Sequence, residues 1–224
     1  MGGATHILAP LETGQRLELE EFLRRWEAMP NLKRAELLGG EVFLASSVSI
    51  PRDAVDTWAR YWLTIFCLAT PGTSSGGNAT WLMFGESPQP DAHLFILPEH
   101  GGQSRVDGIY YSGAPELTLE VSLSTTSRDQ RLKFDLYRRA GVQEYIQVLP
   151  EQNRVHWLRL VEGNYQALEP DADGLLRSRV FPGLWLYSAA GLSLDRRRLL
   201  DLVQQSTATD EHQAFVNLLA SRRP

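Results

Sequence analysis

The sequence predicts a mixed α/β or α+β fold: early helices, a central mixed β-sheet flanked by helices, and a helical extension at the C-terminus. Three observations carry that prediction. Apolar residues recur at helical spacing in two segments before residue 70, a strand–helix–strand succession occupies residues 116–149, and the chain beyond residue 193 reads as two more helices.

Leu19, Phe22, Leu23 and Trp26 fall at i, i+3, i+4 and i+7, one face of a helix that Pro30-Asn31 ends. Two short apolar segments, residues 34–38 and 41–45, flank Gly39-Gly40 and read as a β-hairpin. Helical spacing returns with Val55, Trp58, Ala59, Trp62, Leu63 and Phe66, and Pro71-Gly72 terminates it. Residues 72–78 are rich in glycine and serine and read as a loop. Residues 80–85 and 92–97 read as strands around Ser87-Pro88-Gln89-Pro90, and 98–106 as a loop. Residues 116–121 form a buried strand. Residues 127–140 follow as a helix with Leu132 and Leu136 turned inward, hydroxyl residues at 124–127 to cap it and Gly141 at its C′ position. Strands at 144–149 and 154–160 surround a turn at 150–153, with strand-like pieces at 165–168, 175–180 and 184–187. Leu194, Leu199, Leu202 and Val203, then Phe215, Leu218 and Leu219, mark the tail helices, and no internal repeat is seen.

A chain of 224 residues, 43% of them hydrophobic, supports a core without staples. The single cysteine, Cys67, makes no internal disulfide or Cys-based zinc site, and its apolar surroundings predict a buried, inert thiol. The net charge of −5 excludes a wholly basic nucleic-acid coat but not a local basic patch. The first residues lack the basic and apolar regions of a signal peptide. The most apolar stretch, residues 55–70, contains Asp56 and Arg60 and is too short and charged to span a bilayer. These features predict a soluble, cytoplasmic protein with no membrane partner.

Nucleotide-binding glycine loops, a nucleophile elbow, HExxH and CxxC are all absent, and the five histidines show no ligand spacing. His93 and His156 lie on expected strands. The tryptophans Trp58, Trp62, Trp81, Trp157 and Trp185 sit on apolar periodicities and read as core. What remains is a set of acids at strand ends followed by a helical lysine. Asp91 opens an apolar strand, Glu120 lies inside the strand Leu117-Thr118-Leu119-Glu120-Val121, and Lys133 follows on the next helix. A carboxylate in so apolar a strand is costly to bury unless it is paired, hydrogen-bonded or bound to a metal. Two carboxylates suit Mg²⁺, a metal supplies a polarised phosphoryl group and an acidified water, and a lysine offsets developing negative charge. Spacing alone leaves a plainer reading open, in which Asp91 caps a turn, Glu120 pairs with an arginine and Lys133 is a solvated helix charge.

The succession Gln89-Pro90-Asp91, Ala114-Pro115-Glu116-Leu117…Leu119-Glu120-Val121-Ser122, Ser124-Thr125…Asp129…Lys133…Tyr137 and Ala140-Gly141-Val142-Gln143-Glu144-Tyr145 resembles the putative restriction endonuclease family of the PD-(D/E)xK nuclease superfamily. That large bacterial family is abundant in cyanobacteria. The helix at 19–22, the hairpin Ala35-Glu36-Leu37-Leu38-Gly39-Gly40-Glu41 and Phe181-Pro182-Gly183-Leu184 match it too.

The resemblance spans residues 17–190 and implies a restriction-endonuclease-like domain there, with 191–224 as a C-terminal helical extension. It implies a metal-dependent endonuclease acting on DNA. Asp91 and Glu120 would be ligands to Mg²⁺ or Mn²⁺, Lys133 would act in catalysis from the helix because Ser122 fills the usual lysine position, and Glu36 and Gln89 would support the site. It also implies a homodimer. Where the family usually carries a histidine, this chain has Ser49-Ile50-Pro51-Arg52-Asp53. Residues 128–139 carry five basic and two acidic side chains, among which Arg128 and Arg131 are expected to touch DNA phosphates. The alternative function is a catalytically inactive nuclease-fold protein that binds or assembles.

Overall fold

Alternation along the strands and the 3.6-residue period along the helices sort this chain onto the two faces of one sheet. The computed structural model describes residues 8–44, 50–122, 127–188 and 196–223. In chain order the elements are α1 (Leu19–Glu27), β1 (Ala35–Leu38), β2 (Glu41–Leu44), α2 (Ile50–Ala69), β3 (Thr73–Gly76), β4 (Trp81–Leu82), β5 (Ala92–Ile96), β6 (Arg105–Asp107), β7 (Tyr110–Ser112), β8 (Leu117–Val121), α3 (Arg128–Ala140), β9 (Glu144–Leu149), β10 (Arg154–Val161), β11 (Asn164–Ala167), β12 (Leu175–Arg177), β13 (Trp185–Tyr187), α4 (Arg196–Thr207) and α5 (Asp210–Ser221).

The central sheet has six strands in the order β11-β10-β9-β8-β5-β3. Its β8–β9 pair is parallel and its other pairs are antiparallel, so the sheet is mixed. The parallel pair is connected by α3, the crossover that parallel neighbours require. On one face, α2 (Trp62, Leu63, Phe66) packs on Leu94, Leu117, Leu119 and Ile146. The tail helices join that core through Leu199, Val203, Phe215 and Leu219. There the His212 ring lies between the carbonyls of Pro182 (2.8 Å) and Ala69 (3.1 Å). On the other face, Leu136 and Tyr137 of α3 meet Trp81, Phe95 and Tyr145. Because Leu117, Leu119 and Val121 turn toward α2, the alternate residue Glu120 turns toward α3.

Several local expectations hold. Gly39 and Gly40 both adopt positive φ (58° and 73°), as a two-residue hairpin turn demands, and join β1 to β2. Gly141, at φ 83°, closes α3 in the left-handed conformation. Ser127 occupies the N-cap of α3 but makes no capping side-chain bond, and residues 123–126 lie outside the described residues. All five tryptophans expected in the core are buried. His93 is also core, edge-on to Trp81, with burial pushing its imidazole down to about 3. Cys67, expected to be buried, is only half-buried at the edge of the α2 core, and burial raises its thiol.

Two loop expectations are corrected. Residues 73–76 form the edge strand β3 rather than a loop, paired antiparallel with β5. Its Thr-Ser-Ser-Gly sequence has no apolar alternation because its side chains are only half-buried. Gly76 is required there, since a Cβ would lie 2.8 Å from His93 Nε2. The stretch after residue 98 contains β6 and β7, which form a three-stranded sheet with β4. Conversely, the strand expected over 80–85 contracts to Trp81–Leu82, because the chain turns back at once through a Met83–Glu86 bridge with Phe84 at φ 51°. No helix among the described residues is long and apolar enough to cross a membrane.

Candidate active site

The acids singled out in the sequence meet on one face of the sheet. Ala92 stands opposite Leu119 across β5 and β8, so the next step of that antiparallel register sets Asp91 beside Glu120. Both side chains are fully buried. Asp91 Oδ2 accepts the Val121 N–H at 2.9 Å, which ties the start of β5 to the end of β8. Gly77 lets the chain before β4 pass close to the Asp91 backbone, since a Cβ there would lie 2.3 Å from the Asp91 carbonyl oxygen.

From the opposite side α3 presents Lys133 and Tyr137, four residues apart and therefore on one helix face. Both reach Glu120: Lys133 Nζ lies 3.0 Å from Oε2, and the Tyr137 hydroxyl donates to Oε1 at 2.8 Å. The β1–β2 hairpin delivers Glu36, whose Oε1 lies 2.9 Å from Lys133 Nζ and also accepts the Gln89 N–H. Gln89 closes the circle, its carbonyl 3.4 Å from Lys133 Nζ and its amide donating to Thr80 Oγ1 at 2.9 Å. The plainer reading of Lys133 as a solvated charge is excluded, because it is 3% exposed and holds two carboxylates.

Three residues that carried no role in the sequence reading complete the cluster. Arg52 Nη2 lies 3.0 and 3.2 Å from the two Asp91 oxygens, and Arg34 Nη2 lies 3.3 Å from Oδ1. Arg52 sits in the segment where the histidine of the family pattern was missed, which was the signal available for it. Tyr137 was legible as the i+4 companion of Lys133. Arg34 left no signal, since its reach to Asp91 spans 57 residues of chain.

The electrostatics follow from burial. Burial pushes the Glu120 carboxyl above the usual range, Lys133 opposes this, and Asp91 and Glu36 reinforce it. Burial alone would lower the Lys133 ammonium, but Glu120, Glu36 and Asp91 together raise it, so it stays charged. Tyr137 is raised by burial and by Glu120 and donates as a neutral phenol. Asp56 on α2, also buried, is pushed up to about 6 by burial and by Asp91, with Arg52 and Arg60 opposing.

The donor set suits a hard divalent cation: two adjoining carboxylates, plus a buried Gln89 Oε1 that has no hydrogen-bond partner. Among the described residues no third His, Cys, Asp or Glu is gathered as a ligand, so water or backbone oxygen would fill the remaining positions. The basic side chains of α3 are mostly engaged. Arg128 pairs with Glu41 at 2.6 Å, Arg139 with Glu86 at 2.7 Å and Arg138 with Asp135 at 3.8 Å. Arg131 is the one basic residue of α3 that makes no ion pair among the described residues.

A crystal structure of a putative nuclease belonging to DUF820 from Anabaena variabilis shares this fold, with a TM-score of 0.59 and 18% identity over 84% of this chain and 99% of that one. No curated protein matches the chain. Residues 19–193, from α1 through the sheet to just past β13, match the Uma2 family model, described as putative restriction endonuclease. The chain therefore belongs to the Uma2 family of putative restriction endonucleases.

Proposed function

We propose that this chain is a metal-dependent endonuclease that hydrolyses DNA phosphodiester bonds at the Asp91–Glu120–Lys133 cluster. The observation that carries the reading is the register step that sets Asp91 beside Glu120 with Lys133 Nζ 3.0 Å away, all buried on one sheet face. Structural ion pairs are seldom so deeply buried, because desolvating charges is expensive, and such clusters concentrate at functional sites.

Asp91 and Glu120 would hold Mg²⁺ or Mn²⁺, which when bound supplies a polarised phosphoryl oxygen and a water of lowered pKa. Lys133, kept protonated by its carboxylates, serves as a fixed positive charge for the developing phosphorane rather than as a base. Glu36 positions that ammonium, and the Tyr137 hydroxyl fixes the rotamer of Glu120. Arg34 and Arg52, both partly exposed, would neutralise Asp91 until a cation takes their place.

The test is cleavage of supercoiled plasmid with Mg²⁺ or Mn²⁺ by wild type, Asp91→Asn and Glu120→Gln. Loss of cleavage in both variants supports the reading, and equal cleavage by all three overturns it. A catalytically inactive nuclease-fold binding protein is the second reading, favoured by the double arginine cover of Asp91. Calorimetric titration with Mn²⁺ separates the two, since a folded chain that takes up no cation belongs to the second.

A further inference from the structure

Next to the cluster, on the same sheet face, a cleft of about 460 Å³ opens between α3 and the β9–β10 strands. Its position follows from register. Gln147 stands opposite Glu120 across β8 and β9, and His156 stands opposite Gln147 across β9 and β10. The cleft therefore begins one strand spacing, about 5 Å, from the candidate catalytic carboxylate.

Its lining is of two kinds. Phe134, Tyr145 and Leu158 make an aromatic and aliphatic wall, with Phe134 set edge-on to Tyr145 and Tyr165. Polar edges face that wall without partners. Gln147 is buried as a residue, at 8% exposure, but its carboxamide reaches the cleft, and neither it nor the His156 ring makes a side-chain hydrogen bond among the described residues. Gln130, by contrast, accepts the Tyr145 hydroxyl at 3.4 Å. Arg131 lines the same cleft, unpaired while its helical neighbours are paired. An amide and an imidazole that open onto the cleft with no protein partner leave their donors and acceptors free for a ligand.

We infer that this cleft is a nucleobase subsite: a base flanking the cleaved phosphate seats against Phe134 and Leu158, Gln147 and His156 bond its edge, and Arg131 meets the adjacent phosphate. The inference rests on the proposed nuclease reading and narrows its substrate. A stacked, paired base cannot enter such a cleft, so the bound strand is single, frayed or flipped at that nucleotide. Amide and imidazole groups suit the hydrogen-bonding edge of a base, whereas the adjacent phosphate falls to Arg131.

The test is fluorescence anisotropy of full-length protein in EDTA with three labelled probes: an oligothymidylate dodecamer, its abasic counterpart and a blunt duplex of the same length. Wild type should bind the thymidylate strand about tenfold more tightly than the abasic strand or the duplex. Gln147→Leu and His156→Ala, checked for wild-type melting, should each lose most of that preference while binding the abasic strand as wild type does. Arg131→Ala should weaken all three probes alike and flatten the salt dependence. Equal affinity of wild type for thymidylate and abasic strands, no binding of any probe, or a preference that survives Gln147→Leu and His156→Ala overturns the subsite. Base-dependent binding by a chain that cuts nothing with Mg²⁺ or Mn²⁺ keeps the subsite and refutes the nuclease reading. Cutting without base-dependent binding does the reverse.

Discussion

Replacing Lys133 with methionine tests whether the buried cluster is held by charge rather than by packing. Methionine matches the length and apolar stem of lysine, so the change removes the ammonium and little else. It leaves Glu120, fully buried, with the Tyr137 hydroxyl, 2.8 Å away, as its one side-chain partner among the described residues. Glu36 fares better, since 16% of its side chain is exposed and water can replace the lost partner. Stranding one buried carboxylate costs about 3–5 kcal/mol, a large share of the roughly 5–15 kcal/mol that holds a domain together. Removing the charge from Glu120 as well should return part of that loss. The Lys133→Met/Glu120→Gln pair is expected to be about 2 kcal/mol more stable than Lys133→Met alone. Urea unfolding at pH 8 in EDTA, followed by fluorescence of the buried tryptophans, measures all four corners of the cycle. A Lys133→Met protein within about 1 kcal/mol of wild type, or strict additivity in the cycle, would refute the view that the ion pair organises this site.

Three further outcomes are expected. Arg52→Gln removes the guanidinium that lies 3.0 Å from Asp91, so Mn²⁺ affinity by calorimetry should rise about tenfold, and an unchanged or weaker affinity contradicts competition between arginine and cation. Asp56, pushed up to about 6, contributes stability that is complete below its ordinary value near 4 and is lost as pH rises through about 6. Asp56→Asn should therefore gain on wild type by about 1–3 kcal/mol between pH 4 and pH 8, and a pH-independent difference in urea melts rejects that origin. Gly77→Ala places a Cβ 2.3 Å from the Asp91 carbonyl and should cost about 1–3 kcal/mol while weakening Mn²⁺ uptake, and a variant that melts and titrates like wild type would show that the close approach is not needed.

Local chemistry made much of this protein legible in its sequence. The face of α1, the Gly39-Gly40 turn, the β8–α3–β9 succession and the Gly141 cap each depend on residues within one or two turns of one another, where periodicity and backbone sterics act directly. Glu120 announced itself because a carboxylate inside an apolar strand requires a partner. The identity of that partner was a tertiary matter. Lys133 and Tyr137 reach Glu120 only because α3 crosses the face that strand alternation gives to that residue. Edge strands such as β3 and β6 carry no strong pattern of their own and exist because a neighbouring strand supplies the hydrogen bonds. Charge showed the same division. Counting residues gives α3 a local positive excess, but Glu41 and Glu86, far away in sequence, take up Arg128 and Arg139 and leave Arg131 beside the cleft. Sequence by itself determined which groups must avoid water, and only the fold decided which of them meet, because register and helix placement bring together charges separated by dozens of residues.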